Sequence, residues 1–353
     1  MLLDAKAVVS KQLLSGTNAL YLTCRDGKDV CARILLDNSA EVNAARADGE
    51  TALITAASYG HEKVVRLLLE AHADMDLTTV DGDTAFMCAC RNGRVPVVKL
   101  LLENDVNLDK IAHSNDDNDV SVDSNSALHC AAAGGHERVV SLLLVHEDDV
   151  DKIRSLDGKS PLMVAAGAGH VTVCSVLMQQ GASVNYKRPP PHADTALMLA
   201  ASAGMHDTVE VLLKTLELSE GRNAIEAEGS QTIVNLKETD MLGRTALHLA
   251  VEAGRIAVVR LLLRAGGVIN TMTDAGLTPL HIAFERDDME MVKCLMLSKH
   301  IDVNALDKHG KTARSLLKRQ STANIKKWKG VLNVVDERMG EAEESNGSDD
   351  KTY

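Results

Sequence analysis

The chain has 353 residues, more than one ordinary globular domain needs unless it is an array of repeats. Apolar residues make up 45% of it and charged residues 25%, enough to bury a core and stay soluble, but aromatics reach only 2%, so that core must be built from Leu, Val and Ala. The formal net charge of −12 argues against a general nucleic-acid binder, which needs a basic surface, and no apolar run approaches the roughly 18 residues that span a bilayer.

Residues 1–14 open the chain. Asp4, Lys6 and Lys11 interrupt the leucines, so no signal peptide is expected. Leu2, Leu3, Val8, Val9, Leu13 and Leu14 are expected to turn inward as an N-terminal capping helix.

From residue 15 to about 325 one pattern returns. Thr-Ala-Leu-Ile-Thr-Ala-Ala at 51–57 is echoed by Thr-Ala-Phe-Met-Cys-Ala-Cys at 84–90 and Ser-Ala-Leu-His-Cys-Ala-Ala at 126–132. Shorter copies start at Ser160, Thr195, Thr245 and Thr278, with weaker ones at Asn18 and Thr312. Counted from the residue after each Thr, Ser or Asn, the steps are 33, 33, 42, 34, 35, 50, 33 and 34. The two long steps mark insertions, near 108–124 and 215–233.

Every copy has one internal order. A Thr or Ser before Ala or Pro is a good helix start, because the hydroxyl can cap free amides and Pro is tolerated in the first turn. A short Leu/Ala-rich helix follows and stops at Gly60, Gly93, Gly135, Gly169, Gly204 or Gly254. A second helix carries an apolar stripe, as in Val64-Val65-Arg66-Leu67-Leu68-Leu69 and Val258-Val259-Arg260-Leu261-Leu262-Leu263, too wide to stand uncovered. A Val-Asn step comes next, as at Val42-Asn43, Val184-Asn185, Val234-Asn235 and Val303-Asn304. Turn signals such as Asp48-Gly49, Asp81-Gly82 and Asp157-Gly158 close most copies.

Charge is uneven along this array. Residues 101–151 hold twelve acidic and two basic residues. A patch that attracts a basic partner and a loop kept soluble by its charge are both open readings. A calcium site would draw on Asp116, Asp117 and Asp119, but no Gly follows at the turn position and no Glu closes the loop. Tyr186-Lys187-Arg188-Pro189-Pro190-Pro191-His192 replaces an ordinary turn; it reads either as a stiff recognition element or as a stiff linker. Residues 311–329 are basic and punctuated by Leu316, Leu317, Ile325 and Trp328, which fits a charged end cap or an amphipathic helix, with Ser321 in a basic context. Residues 326–353 form a basic-then-acidic tail expected to be largely disordered.

Catalytic signals are missing. Cys24, Cys31, Cys88, Cys90, Cys130, Cys174 and Cys294 form no CxxC pair and read as reduced, mostly core thiols, in keeping with the cytoplasm or nucleus. His129, His248 and His281 share one slot of the repeat, and His61, His136 and His170 follow its Gly, so they read as structural residues that bond backbone and hold turns. No nucleophile elbow, phosphate-binding loop or His-Glu-x-x-His pair occurs, and neither cofactor nor metal is expected.

Thr278-Pro279-Leu280-His281-Ile282-Ala283 and Thr245-Ala246-Leu247-His248-Leu249-Ala250, recurring at this period, resemble the ankyrin repeat. The resemblance implies an all-α solenoid of about nine stacked helix-turn-helix units with projecting hairpin-like loops. It also implies a scaffold or adaptor that binds a protein partner on the concave loop and first-helix surface, not an enzyme. By position, the contact residues it implies are Arg46, Asp48, Glu50, Ser58 and Tyr59, then Val80, Asp81, Asp83, Arg91 and Asn92. Further along they are Leu156, Asp157 and Lys159, then Met241, Leu242, Arg244 and Glu252, then Asp274, Glu285 and Arg286. Tyr186, Lys187 and Arg188 join them from the Pro-rich turn. A monomer is expected, with a protein partner that has a basic surface and no small-molecule substrate. The alternative is a regulatory or targeting subunit of an enzyme whose catalytic domain is on another chain.

Overall fold

The computed structural model describes residues 11–106, 126–146, 149–154, 157–217, 234–317 and 328–339. Nearly all of both expected insertions, the candidate calcium ligands, Leu156, Ser321 and residues 340–353 lie outside that set. Helices come in pairs along the chain. They are α1 (Ala19–Arg25) and α2 (Asp29–Asp37), α3 (Ala52–Tyr59) and α4 (Glu62–Glu70), and α5 (Ala85–Arg91) and α6 (Val95–Leu102). Then come α7 (Ala127–Gly134) and α8 (Glu137–Leu143), α9 (Pro161–Ala168) and α10 (Val171–Gln179), and α11 (Ala196–Ala203) and α12 (His206–Glu217). The last pairs are α13 (Ala246–Glu252) with α14 (Ile256–Arg264) and α15 (Pro279–Glu285) with α16 (Met289–Met296). A 3-10 turn, Ala313–Leu316, and a helix α17 over 328–339 follow.

The first helix of each pair starts where the hydroxyl stands. Thr51, Thr84 and Thr195 are extended and accept the amides of Ile54, Met87 and Met198 at 3.2, 3.2 and 3.4 Å. Each such hydroxyl satisfies an amide that has no partner within its helix. The helix ends where a left-handed residue is needed: Gly60 has φ +84° and Gly204 φ +82°. Side chains with little bulk let these helices lie close together, and Ala56, Ala57, Ala131, Ala132, Ala200 and Ala201 have no exposed surface.

Two compact units divide the chain: residues 1–165 with 172–182, and residues 166–171 with 183–353. In the first, α1, α3, α5 and α7 pack in one row and α2, α4, α6 and α8 in a second. In the other unit, α11, α13 and α15 and the 3-10 turn form one row, and α12, α14 and α16 the other. The expected stripes supply the core between rows; Val64, Val65 and Leu68 of α4, and Val258, Val259 and Leu262 of α14, are buried. Among the described residues the loops carry only single antiparallel bridges, Ala45 with Thr51, Thr78 with Thr84 and Leu306 with Thr312.

Polar contacts tie each copy to the next. His129, His248 and His281 bond their own capping hydroxyl through Nδ1, at 2.8, 2.9 and 2.8 Å. Their Nε2 atoms reach forward to Lys159 O, Thr271 O and Lys311 O at 3.0, 3.0 and 3.1 Å. His61 and His136 reach backward to Arg25 O and Arg91 O, both at 2.9 Å, and Arg94 Nε donates to Ser58 O at 2.9 Å from the equivalent position. The carbonyls left open at a helix C-terminus are thus met by a side chain of the following copy. On the opposite edge, Asn43, Asn185 and Asn270 accept the amides of Asp74, Asn235 and Asp302 at 2.9, 2.8 and 2.9 Å. This bond accounts for the Asn of two Val-Asn steps, at Asn43 and Asn185, and Asn270 fills the same role after Ile269.

Two expectations about the ends are corrected. Leu13 and Leu14 do not turn inward, being 67% and 110% exposed; Leu2, Leu3, Val8 and Val9 of the expected capping helix lie outside the described residues. The Leu13 amide bonds Thr17 O and the Gly16 amide bonds Leu13 O, so this stretch is a tight turn that leads into α1 with its side chains outward. The tail is not disordered over 328–339. Trp328, Val331 and Val335 of α17 are buried, Trp328 stacks on Phe284 at 5.5 Å, and its Nε1 donates to Asp287 Oδ1 at 2.7 Å. Arg338 Nη1 donates to Ser298 O at 2.9 Å. Three apolar side chains spaced along one helix face outweigh the charge around them.

Candidate partner-binding surface

The turn between copies is a short hairpin whose tip projects past the first helices. At the tip of residues 46–50, the Arg46 amide bonds Glu50 O and the Gly49 amide bonds Arg46 O. The same ring recurs at 79–83, 240–244, 273–277 and 307–311. Neighbouring tips join edge to edge, with Val80 N on Asp48 O and Asp274 N on Leu242 O, both 2.9 Å. The surface is therefore assembled on a backbone frame, which side chains such as Asp240, whose Oδ1 accepts the Leu242 and Arg244 amides, reinforce.

In the first unit several of the expected contact residues are engaged with one another. Arg46 Nη1 lies 2.9 Å from both Tyr21 Oη and Glu50 Oε2 and 3.1 Å from Asp48 Oδ2, and its guanidinium sits 4.8 Å over the Tyr21 ring. Burial, helped by the Tyr21 hydroxyl donating to Glu50, raises the phenol pKa. Tyr59 is exposed and stacks on His61, and Asn92 Nδ2 donates to Ser58 Oγ at 3.2 Å. Val80 and Asp81 stand out into solvent. Asp83 does not: it is 6% exposed and accepts two hydrogen bonds from Arg91. Burial opposes the Arg91 charge most strongly of any single cause, but the bond to Asp83 and the attraction of Asp83, Cys130 and Cys88 together outweigh it and the guanidinium pKa is raised. Asp157 is half-buried between Arg154 and Lys159; burial opposes its charge, yet hydrogen bonds from Arg154 and Lys159 hold its carboxyl well below the usual range.

The Pro-rich turn also departs from expectation. Arg188 is 7% exposed and closes its own loop on Asp194, with Nε to Oδ1 at 2.5 Å and Nη2 to Oδ2 at 2.8 Å. It is an internal strut, because a planar fork meets a carboxylate across the turn. Lys187 is exposed, 3.9 Å from Glu238, and Tyr186 is half-buried.

In the second unit the expected residues converge. Leu242, Arg244, Glu252, Asp274, Glu285 and Arg286 line one groove of about 550 Å³ between the tips of 240–244 and 273–277 and helices α13 and α15. Arg244 is held between Asp240 Oδ2 and Glu252 Oε2, both at 2.8 Å. Met241 and Leu242 are 51% and 56% exposed and form the ridge between this groove and a smaller one of about 250 Å³. The smaller groove runs to the Pro-rich turn at Pro191, His192 and Asp194.

Sequence reasoning missed Thr273, Ala275, Leu277 and Ile282 of the larger groove. A signal existed for Leu277, since it precedes its capping hydroxyl residue as Glu50, Asp83, Lys159 and Arg244 precede theirs, and those four were selected. Ile282 gave none, being 7% exposed and placed like core residues of other copies.

Burial sets the protonation state of several histidines and thiols of the array. Burial pushes His129 down to about 4 and lowers His248, so both are neutral donors and acceptors for backbone. Burial pushes the Cys24, Cys88 and Cys174 thiols up to about 12 and Cys130 up to about 11, far from the thiolate range needed for nucleophilic work. Five of the seven thiols are buried and none is in a disulfide; Cys31 is exposed. On α12, His206, Asp207 and Glu210 bring ligand-type atoms within 4.8 Å of one another, a group the sequence pattern did not single out. His206 Nδ1 is 2.9 Å from Asp207 Oδ1, and Glu210 is 3.5 Å from Lys214.

Comparison with known proteins agrees with this architecture. A family model described as ankyrin repeats (3 copies) matches residues 1–79, 47–112, 71–154, 111–188, 128–220 and 187–273, and a single ankyrin repeat model matches 275–308. The chain is similar to the nuclear factor NF-kappa-B p105 subunit of Gallus gallus, 28% identical over 155 residues that cover 44% of this chain and 14% of that protein. It is similar to putative ankyrin repeat protein FPV031 of Fowlpox virus (strain NVSL), 31% identical over 43% of this chain and 40% of the viral protein. Similarity to neurogenic locus notch homolog protein 1 of Mus musculus is 31% over 52% of this chain and 7% of that protein. The chain thus spans less than half the length of these relatives. Among solved structures, the human ASB11 ankyrin repeat domain superposes with a TM-score of 0.54 at 25% identity, covering 71% of this chain and 99% of that one.

Proposed function

We propose, for a chain that belongs to the ankyrin repeat family, that it is a scaffold or adaptor whose working part is the surface of hairpin tips and first-helix ends. The observation that carries this reading is the convergence of six positions, Leu242, Arg244, Glu252, Asp274, Glu285 and Arg286, on one groove large enough to seat a side chain of a protein partner. Cavities of roughly 300–1,000 Å³ are the size range of binding sites. Repeats of this family are generally protein–protein interaction modules, which supports a protein partner over a small substrate. A standard interface takes about 800 Å² from each partner, more than the groove alone offers, so the exposed Met241 and Leu242 ridge and neighbouring tips join it. Among the described residues no helix is long and apolar enough to cross a membrane.

The test compares affinity purifications with wild-type chain and with an Arg244→Glu, Glu285→Arg double variant, read by mass spectrometry. A partner captured by wild type and lost by the variant supports the surface. Equal recovery of every captured protein, with Asp29→Ala on the second-helix row as control, would move the working surface elsewhere.

A further inference from the structure

The larger groove carries a charge that its own copy leaves unanswered. The residue before the capping Thr and the residue eight positions later face each other across the groove side of a copy. In one copy they are Asp83 and Arg91, bonded at 2.8 Å. In another the signs are exchanged: Arg244 holds Glu252 at 2.8 Å. In the copy of α15 the second position is again acidic, Glu285, but the first is Leu277. Among the described residues Glu285 has no cation within ion-pair distance, and it is exposed. Leu277 and Ile282 add an apolar wall beside it, completed by Leu242.

We infer, resting on the surface proposed above, that this groove takes an extended segment of a partner protein in which a Leu, Met or Phe anchor stands next to a Lys or Arg. The anchor fills the space beside Leu242, Leu277 and Ile282, and the cation meets Glu285 in the place that arginine occupies in the preceding copy. Charge complementarity favours a cation over an anion. Glu252, Asp274 and Glu285 outnumber Arg244 and Arg286 by one around the groove, and Arg244 is already shared by Glu252 and by Asp240 behind it. An exposed ion pair contributes little alone, but one that closes over an apolar anchor is partly desolvated and gains directional strength.

The probe is a phage-displayed library of random 12-residue peptides, selected on the full chain; an enriched peptide is then labelled with fluorescein and its binding followed by polarisation. Enriched peptides are expected to place Lys or Arg within about three positions of a large apolar residue. Glu285→Arg is expected to weaken them at least tenfold. The discriminating variant is Leu277→Arg, which rebuilds the Arg244–Glu252 arrangement one copy later and so satisfies Glu285 internally. It is expected to weaken binding tenfold with an unchanged circular dichroism melt. Enriched peptides without a cation that are lost on Leu242→Asp but retained by Glu285→Arg and Leu277→Arg would overturn the anchor-and-cation chemistry and leave the surface standing. Peptides indifferent to all three variants would overturn both.

Discussion

Trp328 offers a direct test of how the end of the array is closed. It is the only tryptophan of the chain, is 1% exposed, stacks on Phe284 and donates to Asp287. Trp328→Ala removes a fully packed ring, a change that costs about 3–5 kcal/mol in such settings. Trp328→Phe keeps a ring against Phe284 and loses only the indole donor, worth about 1–3 kcal/mol because its acceptor is a carboxylate. In a stack where each copy touches only its neighbours, the loss falls on the end and not on the whole chain. Amide exchange over α17 is therefore expected to accelerate about 150-fold or more in the alanine variant, since about 1.4 kcal/mol is a tenfold change. Exchange over α3 and α5 is expected to stay the same. Wild-type fluorescence supplies a second readout: the emission should be blue-shifted and shielded from acrylamide, and both properties should be lost early in a urea titration. Native emission like that of free indole, or equal α17 exchange in wild type and Trp328→Ala, would refute the docking of this helix.

Stability should also depend on pH through the buried histidines. His129 titrates near 4 when folded and near 6.5 when free, so above about 6.5 it contributes no pH dependence, and between 6.5 and 4 the unfolded chain binds the extra proton. Melting temperature should fall over that window, by the equivalent of about 3 kcal/mol from His129, with His248 acting in the same direction; a melting temperature constant from pH 7 to 4 would contradict it. Asp83→Asn should destabilise by about 1–3 kcal/mol because it removes the charge and one of the two acceptors that hold half-buried Arg91, whereas Asp81→Asn, at an exposed position, should stay within about 0.5 kcal/mol in the same thermal melts. Gly60→Ala forces an L side chain to φ +84° and puts its Cβ 2.7 Å from Arg94 Cδ; a loss of about 1–2 kcal/mol is expected from the left-handed backbone alone, read as a lower urea midpoint.

Much of the fold was legible because its determinants are local and repeated. A capping hydroxyl, a stopping Gly and a Val/Leu stripe act within one copy, and each returns at a fixed spacing, so the eight helix pairs could be placed from Thr51, Gly60 and Val64 and their counterparts. The roles of His129, His248 and His281 were legible for the same reason. The ends were not, because they have only one neighbour. Nothing periodic announces that Trp328 reaches Phe284, 44 residues earlier in the chain, or that Leu13 faces water. The surface was legible as positions but not as chemistry. Asp83 and Arg188 were marked as contact residues, yet each is neutralised within its own copy by Arg91 and Asp194, pairings set by side-chain reach across a turn. Leu277 gained meaning only once Glu285 was seen without the arginine that its counterpart Glu252 has.

The edge asparagines have a consequence for how such a chain can grow. Thr215 Oγ1 accepts the Val234 amide at 3.0 Å, and Asn185 Oδ1 accepts the next amide, that of Asn235, at 2.8 Å. The Thr215 bond thereby pins the two ends of residues 216–233 together, and the Asn185 bond, which belongs to the regular pattern, fixes the downstream end to the preceding copy. Once a chain's ends are fixed in this way, doubling what lies between them adds only about 0.6 kcal/mol of closure entropy. The spot is a natural port of entry: new sequence can be spliced in, trimmed or exchanged there while the copies on either side keep step.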